Sequence, residues 1–247
     1  MVASPAAIAA GRQAAATDVL NDKALCTAVT SVENKQMHGF DVTFYYDQLD
    51  GDEKSKILKA MDEAFQILHA NTYHNNINVG IDIYLTDRPH VRNIAHVGNA
   101  AGGQSITIFL GPRVHHRQRA MRNPPIQVEG GITAGNRARG IADHSYDGTT
   151  VWFGNPKQVA MTAAVIIHEM GHVLHEFSSP GIFWDLKVDA SAQPYAALVG
   201  WPAQALAVSQ YATTNALEFV AETFTGMMLG KTYAPVVIAA YGALGGP

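Results

Sequence analysis

Three residues carry the clearest chemistry in this chain: His168, Glu169 and His172, in the run His168-Glu169-Met170-Gly171-His172. Histidines four apart on a helix lie on one face, one turn apart, so their imidazoles can grip one metal ion together. Glu169 then stands beside that ion, where a base for water is needed. With 11 His and 8 Glu in 247 residues, chance would supply an H-E-x-x-H match only ~0.02 times. The competing reading is a surface helix that happens to carry these side chains, and the flanks argue against it. Val165, Ile166, Ile167, Met170, Val173, Leu174 and Phe177 make the segment apolar around much of its circumference, as in an internal helix. Buried histidines need partners, and a metal ion gives one to each. Asn155-Pro156 offers a start and Ser178-Ser179-Pro180-Gly181 a stop, so the helix is expected over roughly 157–177.

The spacing is the signature of zinc metallopeptidases. Catalytic zinc takes three protein ligands and leaves one position for water, so one more His, Glu or Asp is required. His175 shares the face of His168, but two turns along the helix is about 10 Å, too far to close a tetrahedron around one ion. It reads as a residue supporting the ligands from behind, or as an ordinary histidine at the helix end favoured by the dipole, the second being preferred. Another zincin pattern would place Gly at 175 and His at 178; this chain has His175 and Ser178 there.

The best candidate is Glu218. Leu217, Val220, Ala221, Phe224, Met227 and Met228 recur at helical spacing, which marks an amphipathic helix against a core. Glu218 and Glu222 lie four apart on one face. One can ligate zinc while the other hydrogen-bonds a ligand histidine and fixes its orientation. The alternative is that both face solvent or that one makes a salt bridge.

The stretch Tyr211-Ala212-Thr213-Thr214-Asn215-Ala216-Leu217-Glu218-Phe219-Val220-Ala221-Glu222 resembles the anthrax lethal factor type of zinc peptidase. That gluzincin-type family pairs an H-E-x-G-H helix with a later E-F-x-A-E helix and a tyrosine seven residues before its first glutamate. All three elements occur here in order, over roughly 150–230. The resemblance implies His168, His172 and Glu218 as zinc ligands and Glu169 as general base. It also implies Tyr211 as a hydrogen-bond donor to the oxyanion and Glu222 as a partner of a ligand histidine. The first 150 residues carry no such resemblance.

The remaining chain must position these groups. Its 47% hydrophobic and 15% charged residues are globular proportions, and the length suits one large domain with or without an extension. A net charge of −4 argues against nucleic acid as a partner. No apolar run is long enough to span a bilayer. The single cysteine, Cys26, excludes an intrachain disulfide and reads as a small buried hydrophobe. The first twenty residues carry one Arg and only the short apolar run 6–10, unlike a signal peptide. Residues 1–40 are expected to form a loose or weakly helical leader, and 41–247 the peptidase domain.

Residues 41–46 favour a strand, and 52–70 an amphipathic helix. Two further strands are expected at 79–85 and 106–110, where apolar residues alternate, and another at 149–153. The fold class that follows is α+β and zincin-like: a twisted mixed sheet packed on the active-site helix, then a helical C-terminal part. The strand at 149–153 is either an edge that pairs with substrate or an interior strand. Residues 111–141 gather Arg113, Arg117, Arg119, Arg122, Arg137 and Arg139 with His115 and His116. They read as a solvated loop, or as a basic flap that recruits an acidic substrate segment or lipid.

The expected activity is zinc-dependent endopeptidase, with a protein or peptide substrate. The family resemblance and the absence of a signal peptide imply a bacterial toxin or effector, exported without a signal peptide or delivered into a target cell. The rivals are a non-catalytic zincin-like binding module and a processing peptidase of the producer's own cytoplasm.

Overall fold

The computed structural model describes residues 3–26, 29–47, 51–85, 95–99, 105–110, 161–188, 200–209 and 211–247. Apolar residues at every second position build its sheet. Strand β1 (Ser31–Met37) and strand β2 (Phe40–Tyr46) form a hairpin with Met37 opposite Phe40. The two-residue turn holds His38 at φ 51° and Gly39 at φ 86°, the left-handed pair that matches the twist of adjoining strands. The boundary expected at residue 40 therefore falls inside a hairpin, and β1 belongs to the same sheet as the rest. Its sequence, Ser-Val-Glu-Asn-Lys-Gln-Met, has too little apolar alternation to announce a strand.

Helix α2 (Gly51–Ala70) crosses from β2 to the parallel strand β3 (Gly80–Leu85). Strand β5 (Ser105–Leu110) runs parallel to β3, and strand β4 (Ala95–Asn99) runs antiparallel to β5. The order is β1-β2-β3-β5-β4, a mixed sheet in an α+β fold. Among the described residues β1 and β4 are its edges. The strand expected at 149–153 and the basic segment 111–141 lie outside the described residues.

One face of the sheet holds Val42, Phe44, Ile81, Ile83, Ile106 and Ile108. Ile57, Met61, Phe65 and Leu68 of α2 pack in the same core, with Ile166, Ile167 and Met170 of helix α3 (Met161–Ser178). Each such side chain contributes about 1.5–3 kcal/mol when fully buried. The other face stacks Tyr45 on Tyr84 at 4.2 Å between ring centroids and is closed by Phe109, Cys26 and Val29.

Residues 5–25, expected to be loose or weakly helical, form helix α1 (Pro5–Leu25), capped where Ser4 Oγ accepts from Ala7 N. Two ion pairs anchor it: Arg12 Nε to Glu176 Oε1 at 2.8 Å, and Lys23 Nζ to Asp82 Oδ2 at 2.9 Å. A Cβ at Gly11 would lie 2.4 Å from the ring of Trp184, so glycine lets α1 lie against helix α4 (Pro180–Val188). An Ala-rich helix shows little periodicity in sequence; tertiary contacts hold it here.

Helix α5 (Trp201–Val208), a 3-10 turn (Tyr211–Thr213), helix α6 (Ala216–Met228) and helix α7 (Pro235–Ala243) complete the described chain. Among the described residues no helix is long and apolar enough to cross a membrane.

Candidate metal centre

Helix α3 carries His168 and His172 on one face, their ring centroids 5.0 Å apart. Facing them, α6 starts at Asn215, whose Oδ1 accepts from Glu218 N at 2.9 Å. This cap fixes the first turn, where the helix dipole favours the Glu218 carboxylate. The two helices meet through Gly171: a Cβ there would lie 3.0 Å from Phe224 Cδ1 and 3.3 Å from Ala221 Cα. The glycine in the motif thus lets the backbone of α6 come close enough for its glutamates to reach the histidines.

His168, His172 and Glu218 each bring one ligand atom to a group spanning no more than 4.8 Å. Glu218 Oε2 is 3.1 Å from His168 Nε2 and 3.4 Å from His172 Nε2. Ligand bonds of 2.0–2.1 Å in a tetrahedron set neighbouring donors roughly 3.3 Å apart. Two imidazoles and a carboxylate at these separations could hold a metal ion.

The charges at the site are tightly linked. Burial disfavours a charged His168, yet hydrogen bonding and the charges of Glu218 and Glu222 prevail and raise its pKa well above the ordinary 6.5. Burial alone would raise the pKa of Glu218. The His172 charge and hydrogen bonds from both histidines overcome it and hold the carboxylate below its usual range.

Glu222 is fully buried, with Oε1 2.8 Å from His168 Nδ1. It occupies the place of a carboxylate that fixes a ligand histidine's tautomer and ring orientation. Its other oxygen accepts from Ser209 Oγ at 2.5 Å. Glu169, beside His168 on α3, is 6% exposed. The 3-10 turn brings the Tyr211 ring to 5.8 Å from the His168 ring, while Tyr211 keeps 46% of its surface open to solvent. Burial of its hydroxyl end, then the charges of Glu218, Glu169 and Glu222, raise the phenol's pKa, so it stays a donor.

His175 stands apart. It was expected to support the site from the outside or to sit as an ordinary histidine at the helix end; it is fully buried and meets Phe183 edge-to-face at 5.4 Å. Burial, with the His172 charge second, lowers its pKa to about 3, so it packs as a neutral ring. Trp184, to which the spacing gives no role, donates from Nε1 to Glu176 Oε1 at 3.1 Å. Ser209 and the contact at Gly171 were missed from the sequence. A lone serine after an apolar helix carries no signal, whereas the glycine inside the motif does.

No family model, no curated protein and no solved structure matches this chain.

Proposed function

We propose that this protein is a zinc-dependent endopeptidase with a zincin-like arrangement of sheet and site helices. The convergence of His168, His172 and Glu218 on one point, with Tyr211 against His168 and within reach of the Glu169 charge, carries the reading. The donor set of two imidazoles and one carboxylate is that of catalytic zinc sites. A bound zinc ion would supply a Lewis acid that polarises a carbonyl and acidifies water.

The chain's own groups would do the rest. Glu169 takes the proton from the attacking water and delivers it to the leaving amine. The Tyr211 phenol donates to the oxyanion that develops on the substrate carbonyl. Glu222 keeps His168 in the tautomer that presents Nε2 to the site. Strand β4, which among the described residues is an antiparallel edge of the sheet and lies beside α3, is where an extended peptide would add as a further strand. We further propose that the enzyme is a bacterial toxin or effector that cuts one target protein; broad degradation of casein would instead favour a processing peptidase. A non-catalytic zincin-like module would be expected to have lost Glu169, which is present and buried.

Zinc analysis and hydrolysis assays on three proteins test the roles. Wild type should bind one zinc and cut. Glu169→Ala should keep zinc and lose hydrolysis. Glu218→Ala should lose zinc affinity by more than the ~10–100-fold typical of an outer partner. Zinc retained in Glu218→Ala would mean a different third ligand, and cutting retained in Glu169→Ala would remove its role as base.

A further inference from the structure

Ser209 ends α5 and is fully buried. Its hydroxyl makes two bonds of opposite sense: it donates to Glu222 Oε2 at 2.5 Å and accepts from Ala212 N at 2.9 Å. The second oxygen of Glu222 lies 2.8 Å from His168 Nδ1. Read in order, the Ala212 amide donates to Ser209, Ser209 donates to Glu222, and Glu222 faces His168 across its other oxygen. The Ala212 amide belongs to the peptide bond that follows Tyr211. The segment before it is pinned as well, since Lys231 Nζ donates to Val208 O at 3.2 Å.

A hydroxyl serves both ends of this chain of bonds from one atom, because it donates one proton and still accepts. Alanine does neither, and a cysteine thiol does both weakly. Bonds in an aligned chain polarise one another in a dry interior. Drawing charge from the imidazole at Nε2 makes its Nδ1 edge more positive and strengthens the attraction to Glu222 Oε1, 2.8 Å away, and the effect runs on toward Ser209.

We infer that Ser209 is a positioning residue that ties the turn carrying Tyr211 to the metal-binding His168 through Glu222, so that metal loading and the placement of the phenol are coupled. The inference rests on the metal-site reading, and it does not depend on which peptide is cut.

The test uses the full chain as wild type, Ser209→Ala and Ser209→Cys, the last being nearly isosteric and so retaining the fold if the alanine variant does not. Zinc affinity is measured by competition with a chelator. Hydrogen exchange at the Ala212 amide is measured with and without zinc, relative to amides of α2 remote from the site. Zinc should slow exchange at Ala212 in wild type. Each folded variant should bind zinc about tenfold more weakly, and zinc should no longer slow exchange at Ala212. A purely structural serine would change the basal exchange rate but not its response to zinc. Wild-type zinc affinity, or a wild-type zinc response at Ala212, in the folded variants would overturn the inference. No zinc bound by wild type would remove the metal site and the inference together. Weakened zinc binding and a lost response in the variants, with no peptide cut even by wild type, would uphold the inference and sink only the peptidase reading.

Discussion

Gly171→Ala separates the geometry of the site from the stability of the fold. The new methyl would sit 3.0 Å from Phe224 Cδ1 and 3.3 Å from Ala221 Cα, whereas carbon pairs rest at about 3.5–4.0 Å. Phe224 can turn aside, but Ala221 is backbone, so α6 must retreat by a few tenths of an ångström. Overpacking of this kind costs about 1–3 kcal/mol, and replacing glycine by alanine within a helix returns about 1 kcal/mol. Net destabilisation is therefore about 0–2 kcal/mol, a fall in Tm of roughly 0–8 °C for a chain of this size. The metal site is less forgiving, because ligand distances tolerate only about 0.2 Å. Ala221 adjoins Glu222 and lies one turn from Glu218, so both carboxylates move with it. Zinc affinity should fall at least tenfold, about 1.4 kcal/mol. Chelator competition reads the affinity, and thermal melts of the metal-free protein read the stability. Wild-type zinc affinity in Gly171→Ala, whatever its Tm, would refute the claim that this contact sets the approach of the two helices.

Two further outcomes follow from the same site. Tyr211→Phe should lower kcat by about 10²–10³, the loss of one oxyanion donor, with KM little changed; steady-state kinetics on a cleaved peptide check this, and a raised KM at constant kcat would assign Tyr211 to substrate binding instead. In the metal-free protein Glu218 and Glu222 hold a proton on His168 above the ordinary 6.5, against the opposing effect of burial, and a metal must displace that proton. Apparent zinc affinity should thus go on rising with pH above about 6.5, where an ordinary imidazole has already given up its proton; an affinity already flat just above about pH 6.5 would contradict the assigned linkage.

The sequence made the site legible because its chemistry is local. His168 and His172 share a helix face by spacing alone, and Glu218 and Glu222 do the same on a second helix. That these two faces meet depends on Gly171 and on the Asn215 cap, contacts between elements that spacing does not encode. Strands β2, β3 and β5 show alternation strong enough to read, with edges shifted by a residue or so. Strand β1 was invisible because its inward positions Ser31, Glu33 and Lys35 are polar while the apolar Val32 faces out, and its hairpin turns on His38-Gly39 rather than on an Asn-Gly or Asp-Gly pair. Helix α1 was underestimated because alanines give no contrast between faces; Arg12 and Lys23 find their partners at Glu176 and Asp82, far along the chain. His175 illustrates the opposite error. A histidine near a helix end invites a dipole argument, yet its surroundings are apolar and keep it neutral.

The central claim is hydrolysis of peptide bonds at this site. Its most direct test is mass-spectrometric profiling of new N-termini in a peptide library, with zinc-loaded wild type against Glu169→Ala. Cuts by wild type that vanish in the variant are the predicted result, and their flanking residues would define the subsites. Zinc-loaded wild type that makes no cuts, or identical cuts from both proteins, would contradict the account.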